Sequence, residues 1–254
     1  MNDIRLFVPQ ESVVRKIWGN GDMVMLIFAG SAAEFTLNKA VDWLYFTGKL
    51  PSDPLGRLFS TVGYAHRIIF ATEAEANKAI DVITAIHTSV EDQRGTTIPD
   101  WAYRDVLYML IHYSVNAFEL LERKLSPSEK EDIYDVFYRM GTRMKLKDLP
   151  ATYDQWLADR IVHMKNDLTY SQYTPDLFLQ YKKHLGWARY TILLQVQALL
   201  LPPHCKRLLK MNSNDLFPVF IDFYRWLKRL SLHKILRSAI LPSRYKQQIA
   251  GLDV

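Results

Sequence analysis

The sequence predicts an all-α chain, a single globular multi-helix domain spanning residues 1–254. Glycine and proline are sparse, 10 and 11 residues, and long helix-compatible runs separate them. Two capping boxes, Thr72 with Glu75 and Ser126 with Glu129, mark helix starts in the primary structure itself. The composition, 49% hydrophobic and 23% charged with no low-complexity tract, is that of a globular protein long enough to bury a sizeable core.

Taken in order, residues 1–11 read as an extended leader and Ser12 to Trp18 as a short helix. The turn GNGD lacks the third glycine and the preceding strand of a dinucleotide site. MVMLIFAGSAAEF is an apolar helix whose small residues Gly30, Ser31, Ala32 and Ala33 permit close approach of another helix or of a flat cofactor. A helix from about Leu37 to Phe46 and the loop TGKLPSDP follow. Pro54 then opens a helix running through His66 to Phe70.

Thr72 caps the next helix, on which Ala76, Ile80, Ile83 and His87 recur at helical spacing, so His87 is expected on its buried stripe. After the polar loop EDQRGTTIP, Asp100 is expected to cap a helix that is apolar nearly all round from Val106 to Leu121, the central helix of the domain. Ser126-Pro127 opens a Tyr- and Phe-rich helix, and DLPATYDQW starts another that reaches about Leu168. The loop YSQYTP, a helix to Gly186, a Leu-rich helix, a basic helix after Pro202-Pro203 and basic amphipathic C-terminal helices complete the chain.

The net charge of +5 comes from 32 basic and 27 acidic residues interspersed along most of the chain, which argues against a nucleic-acid partner. One cysteine, Cys205, excludes an internal disulfide and a CxxCH attachment site, and fits a reducing compartment. The opening MNDIRLFVPQESVV has no charged start followed by an apolar block, and the most apolar run, Tyr190 to Pro203, is too short to span a bilayer. A cytoplasmic location is expected, with peripheral membrane contact through the basic C-terminal helices as the further option. Neither Gly-x-Ser-x-Gly nor His-Glu-x-x-His occurs, which leaves hydrolase readings without support.

Chemistry concentrates between Pro54 and Tyr113. Arg57 and Thr61 stand one helical turn apart, and His87 and His112 lie on apolar helical faces. A histidine there is costly unless its ring nitrogens find partners. Two such histidines with a basic residue and a hydroxyl upstream suggest a haem or metal pocket. The alternative is two core histidines bonded to backbone carbonyls.

In their order these stretches resemble the MpaB-type oxygenases and rubber oxygenases (latex clearing proteins). The resemblance runs from Trp18 to about Gln248. FTGKLPSDPLGRLFSTVGYAHRIIFATEAEA is similar to the family's Arg-x-x-x-Thr helix and the Ala-rich helix after it. His87 with Val90 matches its His-x-x-Val, 26 residues beyond Thr61, and His112 falls 25 residues further, on its second histidine helix. LSPSEKEDIYDVFYRMGTRM, LPATYDQWLADRIVHM, LLLPPHCKRLL and ILPSRYKQQ resemble later blocks.

The resemblance implies a globin-like helical core holding non-covalent haem b, and an oxygenase that uses dioxygen as co-substrate on an apolar, alkene-bearing isoprenoid or lipid-like molecule. His87 is then the iron ligand. Arg57 and Thr61 are catalytic and cofactor-binding residues beside the haem, and His112 is a second pocket residue or the ligand in place of His87. Three positions depart from the pattern: Ser60 where the family often has a basic residue, Asp92 in place of glycine, and Leu110 in place of tryptophan. The alternatives are a non-catalytic helical protein of the same fold that binds a lipid or membrane surface, and a haem redox or peroxidase-like protein.

Overall fold

In the computed structural model, the described residues are 5–48, 53–212, 221–222, 224–226, 228 and 251–253. Among them the chain forms eleven helices and no strand. They are α1 (Val13–Trp18), α2 (Gly21–Phe35), α3 (Asp42–Phe46), α4 (Pro54–Phe70), α5 (Glu73–Arg94), α6 (Asp100–Leu121), α7 (Pro127–Arg143), α8 (Tyr153–Asp167), α9 (Tyr173–Leu185), α10 (Trp187–Leu200) and α11 (Pro203–Leu209). The basic C-terminal helices expected to offer a membrane-facing side lie largely outside the described residues. Among the described residues no helix is long and apolar enough to cross a membrane.

Both capping boxes form as the sequence predicts, at Thr72 for α5 and Ser126 for α7, and Asp53 caps α4 ahead of its first-turn proline. Two boundaries differ from expectation. Helix α6 begins at Asp100 itself, after Pro99 and without a side-chain cap, so Asp100 acts through its charge in the first turn. Residues 37–41 form turns rather than helix, because the Asn38 side chain takes over local bonding: its Oδ1 accepts the Ala40 N–H at 2.8 Å. An isolated antiparallel bridge, Asn38 to Leu168, then ties this turn to the end of α8.

The core centres on the packing of α2 against α6, with α7 and α8 on α6, α10 on α2, and α4 beside α5. One cluster of buried apolar residues runs through all of these, from Phe7 to Leu252. Helix α6 buries residues on nearly every side, as the central helix must. The small residues of α2 serve helix packing. A Cβ at Gly30 would lie 2.2 Å from two ring carbons of Tyr113 on α6, so the aromatic ring fills the notch that glycine leaves. Trp18, fully buried, donates its indole N–H to Ser114 Oγ at 3.1 Å and fixes α1 onto the same helix.

Candidate functional site

The interior where α2, α6 and α8 meet is polar. Glu34, at the end of α2, and Arg160, in the middle of α8, are 2% and 3% exposed and pair at 2.8 Å. Tyr113 of α6 donates its hydroxyl to the same Glu34 oxygen at 2.7 Å. Burial pushes the Tyr113 phenol well above its ordinary range, with Glu34 adding to the effect. Burial opposes the charge on Arg160 and Glu34 restores it, with a net shift upward.

One turn further along α8 the same face carries His163. Its Nδ1 lies 2.9 Å from Asp167 Oδ2 and 3.2 Å from Asp105 Oδ1, and its Nε2 lies 3.5 Å from Asp159 Oδ2. Asn38 donates to the other oxygen of Asp105 at 2.9 Å, and Tyr108 donates to Asp159 at 2.6 Å. The turn at 37–41 is held in place by the Lys39 N–H on Asp167 O and the Thr169 N–H on Leu37 O. Burial raises the Asp105 carboxyl, with His163 opposing; the hydrogen bond to Asp105 is the largest cause raising the His163 imidazole. Among the described residues, Asp105, His163 and Asp167 bring one donor atom each within 4.8 Å of one another.

The residues singled out in the sequence are spread around this interior. Arg57 falls on α4, with its side chain outside the described residues, and Thr61 follows one turn later, half-buried. Helices α4 and α5 pack on each other. His87 is half-buried near the end of α5: along its stripe Ala76 and Ile80 are buried and Ile83 and His87 half-buried, while Val82 and Ile86, off the stripe, are 45% and 39% exposed. Its ring meets Tyr103 of α6 at 5.0 Å, and Tyr103 donates its hydroxyl to Glu91 at 3.0 Å.

His112 is nine residues beyond Tyr103 on α6, about 13 Å along the axis, so the two histidines do not converge on one point. Its Nε2 accepts from Asn116 Nδ2 at 3.0 Å, an orientation supported by the donation of that amide to Leu200 O at 3.2 Å. Burial holds the His112 imidazole well below its ordinary pKa. The unfolded chain therefore binds a proton that the folded chain refuses. Stability is expected to fall as pH drops below about 6.5, by up to about 1.4 kcal/mol per pH unit. His112→Gln should flatten that dependence in urea midpoints measured at several pH values; an unchanged slope would remove His112 as its source.

The residues 159–167 escaped the sequence analysis although a signal exists. DRIVHMKND spaces Asp159, His163 and Asp167 four apart, which places all three on one helical face. Asp105 and Glu34 had no local signal, since neither has a second acidic residue within four positions of it.

Residues 16–230 match the family described as ER-bound oxygenase mpaB/B'/Rubber oxygenase, catalytic domain. The chain belongs to this family. The match covers most of the chain, from α1 to beyond α11, and bears out the family resemblance. No curated protein and no solved structure matches it.

Proposed function

We propose that this mpaB/rubber oxygenase family member is a haem b-dependent oxygenase. It uses dioxygen on an apolar, alkene-bearing isoprenoid or lipid-like substrate, with His87 as the iron ligand. The observation that carries the reading is the surface around His87. An imidazole half-buried at the edge of the core, with half-buried Ile83 and Val90 one turn to either side of it on the same helical face, suits a flat apolar group laid against α5. The site fits the group at this point better than at His112, whose Nε2 lone pair is taken by Asn116.

The bound haem would supply the binding and activation of dioxygen. The chain's own residues do the rest. His87 in its neutral form would offer a ring nitrogen to the iron. Tyr103 walls its ring and is itself held by Glu91, whose carboxylate also accepts the Ile98 N–H at 2.7 Å, so the loop after α5 is pinned beside the ligand. The resemblance gives Arg57 and Thr61 their roles beside the haem, where Arg57 would contact a propionate or a distal group. His112, its Nε2 bonded to Asn116, is given no role at the haem. The apolar residues beside His87 favour an apolar substrate.

The test is a visible absorption spectrum of protein produced with a haem precursor, beside His87→Ala and His112→Ala. A Soret band present in the parent and in His112→Ala but lost in His87→Ala is expected. Loss in His112→Ala alone would move the ligand. A parent without a Soret band even after haemin titration would overturn the reading. With haem bound, oxygen uptake that depends on an added isoprenoid alkene and yields carbonyl products is the expected activity.

A further inference from the structure

We infer that Asp105, His163 and Asp167 form a binding site for one divalent transition-metal cation, separate from the proposed haem site. Asp105 and Tyr103 are two residues apart on α6 and so project from opposite sides of that helix. The cluster therefore lies across α6 from His87.

The distances are those of a coordination shell. Metal–nitrogen and metal–oxygen bonds of about 2.1 Å set adjacent donors about 3.0 Å apart when they subtend a right angle. Nδ1 of His163 stands 3.2 Å from Asp105 Oδ1 and 2.9 Å from Asp167 Oδ2. The remaining separation, within 4.8 Å, leaves the two carboxylates on either side of the nitrogen.

Hydrogen bonding alone satisfies this arrangement poorly. One ring nitrogen carries at most one hydrogen, yet two carboxylate oxygens approach it. Three carboxylates, those of Asp105, Asp159 and Asp167, surround a single imidazole. Neighbouring Arg104 directs Nη1 to the carbonyls of Lys147 and Asp148. A divalent cation in place of that one proton would engage all three donors and offset the clustered negative charge.

The surroundings have the form that supports a metal-bound histidine. Such a ligand commonly gives its other ring N–H to a carboxylate, and the other nitrogen of His163 faces Asp159. Tyr108 anchors Asp159, and Asn38 holds the second oxygen of Asp105, which turns Oδ1 towards the cluster. Asp105 and His163 are buried while Asp167 is half-buried, so the cation enters from the Asp167 side. One imidazole with two carboxylates favours Mn²⁺, Fe²⁺, Co²⁺ or Zn²⁺ over Ca²⁺ or Mg²⁺.

The experiment uses the full chain after chelator treatment, titrated with Co²⁺ as a spectroscopic probe and with Mn²⁺ and Zn²⁺ by calorimetry. One cation per chain, a Co²⁺ d–d spectrum and a rise in melting temperature are expected. His163→Gln and Asp167→Asn should abolish the spectrum, and Asp159→Asn should weaken binding by about 10- to 100-fold. His87→Ala, which tests the haem reading, should leave Co²⁺ binding intact. Asp167 is at the rim, so Asp167→Asn should retain the parent's circular dichroism and keeps the test valid if His163→Gln fails to fold. A folded parent that shows no saturable binding would establish an imidazolium clamped by carboxylates and overturn the proposal. Binding that survives Asp167→Asn unchanged would overturn it as well.

Discussion

Arg160→Met is expected to lower folding stability by about 3–5 kcal/mol. The substitution leaves Glu34 buried at 2% exposure without its cation, and the cost is that of an uncompensated carboxylate, not of a lost surface contact. Tyr113 still donates to Glu34, but one neutral hydrogen bond does not replace a guanidinium. The companion Glu34→Leu/Arg160→Met should recover part of the loss, because the two apolar groups need no partner although the buried Tyr113 hydroxyl loses its acceptor. Urea denaturation of the parent, the single and the double variant measures both effects. A loss below about 1 kcal/mol in Arg160→Met, the scale of an exposed pair, would show that Glu34 does not depend on Arg160 in the folded protein.

Gly30→Ala is expected to destabilise by about 1–3 kcal/mol, although alanine is the better helix former by about 1 kcal/mol. The added methyl would stand 2.2 Å from two carbons of the Tyr113 ring. That ring cannot swing aside cheaply, since it is fully buried and its hydroxyl is bound to Glu34. The clash therefore reaches the ion pair as well as the helix contact. In a Tyr113→Ala background the same substitution should become neutral or stabilising, which a double-mutant cycle in thermal denaturation would show. Additive effects would mean that α2 shifts away from α6 without involving the ring.

The outcomes of these substitutions turn on features with unequal footing in the sequence. The capping boxes at Thr72 and Ser126 and the opening proline of α4 were legible because a cap is a local bargain between a side chain and backbone groups three residues away. The central place of α6 was legible because a helix apolar on all sides has nowhere else to go. The orientation of α8 was not. Leu157, Ile161 and Val162 are exposed, while Arg160 and His163 are buried on the same face as Trp156, a placing that apolar periodicity does not predict. Helix α8 faces inward with its charges because Glu34 and Asp105, far away in sequence, are there to receive them.

The turn at 37–41 has the same explanation: Asn38 gains a partner in Asp105 only once α6 is in place. The order of the sequence blocks and the spacing of Arg57, Thr61, His87 and His112 lie in the chain itself, and with them the helical class and the mpaB/rubber oxygenase family. Which histidine sits at the edge of the core, which has its nitrogen taken by an amide, and which meets three carboxylates was decided by tertiary packing alone. Helical periodicity fixes a face, whereas burial and charge pairing depend on what the opposite helix presents to it.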